Sequence, residues 1–133
     1  MPEIEYGRNH PLTPQEVSRV FESAGLERPT GDLGRIARML AGANVVISAW
    51  DNGRLIGIAR AITDHSFCAY VPDVAVDAEH KAQGIGKELL QQLRAVLGEE
   101  VMLVLLSMPD AVNFYSSVGL ERFGDAFIVR RVR

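Results

Sequence analysis

The chain has 133 residues, enough for one domain with a core of its own, and nothing in its length asks for a second. Its 14 basic and 17 acidic residues are interspersed and leave a net charge of −3 and a pI near 5.6, which disfavours a nucleic-acid partner. No apolar run approaches membrane-spanning length and the opening MPEIEYGRNH has no apolar signal segment, so the expectation is a cytoplasmic protein without a membrane partner.

Residues 3–8 alternate well enough for a first strand. Thr13, Pro14 and Glu16 form a capping box with proline at the first helical position. The helix they open puts Val17, Val20 and Phe21 on one face, runs to about Ala24 and stops at Gly25. A second helix starts near Asp32, turns Leu33, Ile36, Ala37 and Leu40 inward and ends by Gly42. Residues 44–50 read as a strand, Asp51, Asn52 and Gly53 as a tight turn, and residues 54–63 as the partner strand. Trp50, beside the turn, reads as a packing or rim residue.

After a turn at residues 64–66 comes a strand over 67–76, in which Pro72 cannot donate a ladder hydrogen bond and so marks an edge or an irregularity. Cys68 is the single cysteine; it has no disulfide partner and reads as a small buried hydrophobe. The next helix carries Ile85, Leu89, Leu90, Leu93, Val96 and Leu97 on one stripe and ends at Gly98. Residues 101–106 are a near-continuous apolar run, as in a strand buried on both faces. Pro109 and Asp110 open a short helix closed by Gly119, and residues 120–132 give one or two final strands.

The stretch between the strand ending at Val76 and the helix is the most informative. The helix opens on Gly84, Ile85, Gly86 and Lys87, so its first N–H groups, which have no partner inside the helix, lie next to small residues and at the positive end of the macrodipole. Such an end accepts a phosphate, and Lys81 and Lys87 flank it with positive charge. The alternative is structural: the two glycines allow the helix to pack closely on the sheet.

The order strand, HKAQGIGKELL, helix, VMLVLL and then NFYSSVGL resembles the GNAT superfamily of acyl-CoA-dependent N-acyltransferases. The resemblance implies an α/β (α+β) single domain over residues 1–133, with a mixed, mostly antiparallel sheet of six to seven strands, about four flanking helices and a splay at the acyl-CoA cleft. It implies that the loop Lys81, Ala82, Gln83, Gly84, Ile85, Gly86 and Lys87 holds the coenzyme A pyrophosphate, with Lys81 standing where the family has Arg or Gln. A lysine there keeps the charge but lacks the planar fork that grips phosphate bidentately. It also implies that backbone groups of Val74, Ala75 and Val76 pair with the pantetheine arm, one of their amides facing the thioester oxygen.

By the same resemblance Tyr115, in NFYSSVGL with Ala111 four residues before it, lies near the coenzyme A sulfur and assists the leaving thiolate, and it counts among the cofactor-binding residues. Met108 stands where the family often has Asn, seven residues before that tyrosine. An attacking amine must lose a proton, and Asp73 is the first choice for the base, ahead of Glu79, His65 and His80. Arg28, Arg35 and Arg38 read as a solvated face, with contact to an anionic acceptor group as the alternative. No residues have metal-ligand spacing.

The reading is an acetyltransferase that uses acetyl-CoA as cosubstrate and a small-molecule or peptide amine as acceptor, with a homodimer as one option for its assembly. Its rivals are a non-catalytic acyl-CoA-binding or regulatory module and a nucleotide-phosphate binder. The first keeps the loop without turnover; the second lacks the Gly-Lys-Ser/Thr ending of a Walker-type loop.

Overall fold

A computed structural model describes residues 3–133. Strand β1 (Ile4–Arg8) leads into helices α1 (Pro14–Ala24) and α2 (Leu33–Gly42), followed by the meander β2 (Val45–Asp51), β3 (Arg54–Thr63) and β4 (Cys68–Val76). A single 3-10 turn over Ala78–His80 precedes α3 (Ile85–Leu97), and β5 (Met102–Val104) and α4 (Val112–Ser117) complete the elements. The strands lie in chain order in one sheet, antiparallel from β1 to β4, with β5 parallel to β4.

Local chemistry explains where these elements begin and end. Thr13 Oγ1 accepts from the N–H of Glu16 at 3.2 Å, while Glu16 Oε2 accepts from the N–H of Thr13 at 2.6 Å, so two donors that α1 would leave unpaired are satisfied. Gly25 then takes the left-handed conformation, φ 76°, that closes the helix. Asn52 and Gly53 both have positive φ, as a two-residue hairpin turn requires.

The sheet is covered on both faces. On one, Ile85, Leu89 and Leu93 of α3 pack on Val45, Ile47 and Ile56; on the other, Val17, Val20 and Phe21 of α1 and Ile36 of α2 pack on Val46, Leu55 and Ile58. That double cover is why β3 is buried at nearly every position and shows no polar alternation.

The far edge departs from expectation. Residues 101–106 do not form a strand buried on both faces: β5 is three residues long, with Met102 58% and Val104 42% exposed. It pairs with β4 alone, and among the described residues no strand lies beyond it. Residues 120–133 form no strand, and Phe127 is 98% exposed, so the sheet has five strands instead of six to seven. The alternating pattern around Phe127 and Val129 gives a strand only where a ladder partner and a face to cover exist, and this segment has neither. Cys68 is exposed, not buried, because it is the first residue of β4 at the open end of the β3–β4 turn.

Candidate active site

The site begins with an irregularity in β4. Its register against β3 shifts between the pairs Arg60–Asp73 and Ile62–Tyr70, so that Val71 and Pro72 stand opposite the single residue Ala61. The extra residue falls where proline has no N–H to contribute. The ladder from β4 to β5 stops at Tyr70–Val104, leaving the β5-facing edge of β4 without a partner from Val71 to Val76.

The direction of the backbone along that edge follows from the antiparallel alternation. The N–H of Asp77 donates to the carbonyl of Ile56 at 2.8 Å, which turns Asp77 and Ala75 toward β3 and turns Val74 and Val76 outward. Of the three residues expected to meet a pantetheine arm, Val74 and Val76 therefore offer free backbone groups, whereas those of Ala75 face the sheet.

The open edge leads to the loop before α3. Ala82 and Gly84 have positive φ, 63° and 80°, and Gly84 caps the helix without a side-chain hydrogen bond. Among the described residues, the N–H groups of Gly84, Ile85, Gly86 and Lys87 find no acceptor. A Cβ built on Gly84 meets nothing within 4 Å, so there is space in front of these donors. Bare donors, the positive end of a 13-residue helix and open space fit a phosphate group. Gly86 serves packing instead, since a Cβ there would lie 3.1 Å from Phe114 Cζ, and its absence lets α4 dock against α3.

The two lysines differ in the same way. Lys87 is exposed in the first turn of α3 and makes no ion pair among the described residues. Lys81 Nζ instead donates to the carbonyl of Ala24 at 3.2 Å, at the negative end of α1.

Leu106, Met108, Asp110, Ala111, Phe114 and Tyr115 form the opposite wall, and the cleft between has a volume of about 430 Å³. Met108 thus borders the cleft with a thioether where the family often has an amide. Tyr115 is half-buried, its ring edge-on to Phe114 at 5.1 Å, and among the described residues its hydroxyl has no hydrogen-bond partner. Burial raises the phenol above its ordinary value of 10.0; Arg28 opposes the rise and Asp73 adds to it.

Asp73, the expected base, is fully buried and both of its oxygens are occupied. Oδ1 accepts from Arg28 Nε at 2.6 Å and Oδ2 from Arg60 Nε at 2.5 Å. With no solvent exposure and a guanidinium on each oxygen, Asp73 is poorly placed to take a proton from an amine and serves first as the counter-ion of Arg28 and Arg60. Of its alternatives, His65 and Glu79 do not line the cleft, whereas His80 does, with its Nε2 3.0 Å from Asp51 Oδ2 and its Nδ1 without a hydrogen-bond partner among the described residues. Arg28 lines the cleft, while Arg35 donates to the carbonyl of Arg133 at 3.2 Å. The signal for this ion-paired group was available in the sequence, since Asp73 and Arg60 both interrupt apolar strands, and a charge buried in a sheet needs a partner.

A bulged, half-open β4, a bare helix N-terminus and a tyrosine on a short helix meet at one cleft, in a fold of the GNAT type. The profile of the acetyltransferase (GNAT) family matches residues 14–120, and the chain belongs to that family. An uncharacterized N-acetyltransferase, ycf52, of Pyropia yezoensis is 30% identical over 132 residues, covering 92% of this chain and 73% of the relative. GCN5-related N-acetyltransferase 2, chloroplastic, of Arabidopsis thaliana is 43% identical over 70 residues, which is 51% of this chain but only 27% of the plant protein. Among solved structures, a Deinococcus radiodurans protein assigned as an acetyltransferase has a TM-score of 0.79 at 29% identity, covering 96% of this chain and 88% of the other. An aminoglycoside N-acetyltransferase solved with CoA, at 14% identity, shares the fold with a TM-score of 0.71, covering 100% and 97% of the two chains. No helix among the described residues is long and apolar enough to cross a membrane.

Proposed function

We propose that the cleft binds acetyl-CoA and that the chain transfers the acetyl group to a primary amine by direct attack in a ternary complex. The observation that carries this reading is the convergence of three features on one cleft: the open edge of β4, the bare N-terminus of α3 and the phenol of Tyr115. Acetyl-CoA supplies the activated acyl group. Val74 and Val76 pair with the pantetheine arm as an added strand would, and one of their amides serves as oxyanion donor. The N–H groups from Gly84 to Lys87 hold the pyrophosphate, Ala82 and Gln83 shape the loop before them, and Lys87 adds a point charge.

Tyr115 keeps its proton at neutral pH, as an ordinary phenol does, and burial raises it further. With ordinary values of 10 for a phenol and 8.5 for a thiol, full proton transfer to the departing sulfur is uphill by about 2 kcal/mol, and the raised phenol adds to that. Its role is therefore to donate a hydrogen bond to the sulfur. Asp73 is a positioning residue that fixes Arg28 and Arg60, and the acceptor proton leaves to solvent through the open mouth of the cleft.

A panel of primary amines with acetyl-CoA, read by thiol release, tests this reading. Turnover with at least one amine is expected. Tight acetyl-CoA binding with no release from any amine would instead favour a non-catalytic acyl-CoA-binding module.

A further inference from the structure

The charges around Asp73 do not balance. Two guanidinium groups share one carboxylate, so the trio carries one net positive charge, and neither arginine has a second acidic partner among the described residues. The surplus is presented by Arg28, whose side chain is 25% exposed against 8% for Arg60.

Arg28 is also held rigidly. Its Nε donates to Asp73 Oδ1 at 2.6 Å, its Nη2 to the carbonyl of Pro72 at 2.6 Å and its Nη1 to that of Glu27 at 2.5 Å. Three of its five N–H donors are taken, and the other two are without a partner among the described residues. The head group cannot swing away, because Pro72 belongs to the β4 bulge and Asp73 is fixed from behind by Arg60.

Arg28 and Tyr115 line the same cleft, and the phenol of Tyr115 responds to the charges of both Arg28 and Asp73. The only acid among the cleft-lining residues is Asp110, which is exposed and makes no ion pair with Arg28. The acyl end of the cleft therefore holds a fixed, partly desolvated cation with donors to spare. Such a group repels a polycationic acceptor and matches a carboxylate.

We propose that Arg28 selects the acceptor, and that the acceptor is a small amine carrying a carboxylate, read by the free N–H donors of Arg28 while its amine approaches the site beside Tyr115. This rests on the acetyltransferase reading above and adds the class of its acceptor.

The test compares β-alanine and 4-aminobutyrate with their amides, and with spermidine as a polycation. Affinities are measured by calorimetry on the protein with and without saturating coenzyme A, and kcat/KM is measured with acetyl-CoA. Each carboxylate should be preferred over its amide by about tenfold or more, the size expected for a charge-assisted hydrogen bond. The preference should fall to within about threefold in Arg28→Gln, be intermediate in Arg28→Lys and stay unchanged in Arg35→Gln. Arg28→Lys keeps a cation against Asp73, which provides a folded variant if Arg28→Gln melts.

Equal use of acid and amide, a preference for spermidine, no carboxylate binding at all, or a preference that survives Arg28→Gln would each overturn the assignment of Arg28. Failure of coenzyme A or acetyl-CoA to bind would overturn the acetyltransferase reading instead. The titration without coenzyme A reports on Arg28 in either case.

Discussion

The two walls of the cleft are built differently. The wall made by β4 and α3 is tied to the core: Leu89, Leu90 and Leu93 of α3 are buried, and the backbone of β4 is laddered to β3 along most of its length. The wall made by residues 106–115 and the chain beyond it consists of short elements, with Leu106, Met108 and most apolar side chains after Leu120 exposed. The first wall presents backbone donors on a rigid frame, which suits the unvarying parts of a cosubstrate. The second presents side chains on a support with few core contacts, joined to the first where Phe114 packs against Gly86 and where Arg94 donates to the carbonyl of Val118.

The sharpest way to break the rigid wall is to remove its buried charge. Asp73→Asn leaves Arg60 and Arg28 without their counter-ion and should cost about 3–5 kcal/mol of stability, read by denaturant unfolding. Because both oxygens of Asp73 are occupied, the folded fraction should keep the pH dependence of its kcat; loss of an acid limb would restore Asp73 as the base.

A pair of truncations compares the walls directly. Leu89→Ala, at a fully buried site, should destabilise by about 2–5 kcal/mol, while Phe127→Ala, at a site 98% exposed, should stay within about 0.5 kcal/mol. Equal effects would mean that residues 120–133 are covered in solution.

Tyr115→Phe should lower kcat by about tenfold, the worth of one hydrogen bond, with acetyl-CoA affinity within a few fold. The sign of its pH dependence follows from the raised phenol: the native side chain titrates above the ordinary 10.0, so its contribution to rate is lost as pH rises through that higher midpoint. The unfolded phenol ionises first, so stability also falls as pH rises past the same range. An alkaline limb with its midpoint below 10 and absent from Tyr115→Phe would contradict this.

Lys81→Ala should have the smallest effect. Its ammonium sits on the carbonyl of Ala24, so the change should cost about 0.3–1 kcal/mol of stability and leave acetyl-CoA affinity nearly unchanged. A large, salt-sensitive affinity penalty would put Lys81 on the phosphates instead.

Much of the sheet, its covering helices and the first wall was legible in the sequence because local chemistry fixes them. The Thr13–Glu16 box, the Asn52–Gly53 turn, the stripe of α3 and the break at Pro72 each have a short-range cause, and each lies where the residues point. What could not be read depends on neighbours distant in the chain. The apolar run at 101–106 looks like a central strand, but its exposure is set by what lies beyond β5, and the pattern around Phe127 suggests a strand that finds no ladder. Lys81 matches the loop motif, yet its position is decided by the end of α1, and Asp73 was readable as a charge in an apolar strand but not as the shared partner of Arg28 and Arg60.

Joint binding of acetyl-CoA by the N-terminus of α3 and the open edge of β4 is tested most directly by calorimetric titration of the wild-type chain and Gly84→Val. The wild type should bind acetyl-CoA, and the variant should lose at least about tenfold in affinity. Valine is strained at φ 80° by about 1–2 kcal/mol, and its side chain projects into the space before the bare N–H groups. Absence of binding at millimolar acetyl-CoA in the wild type, or equal affinity in a folded Gly84→Val, would contradict the account.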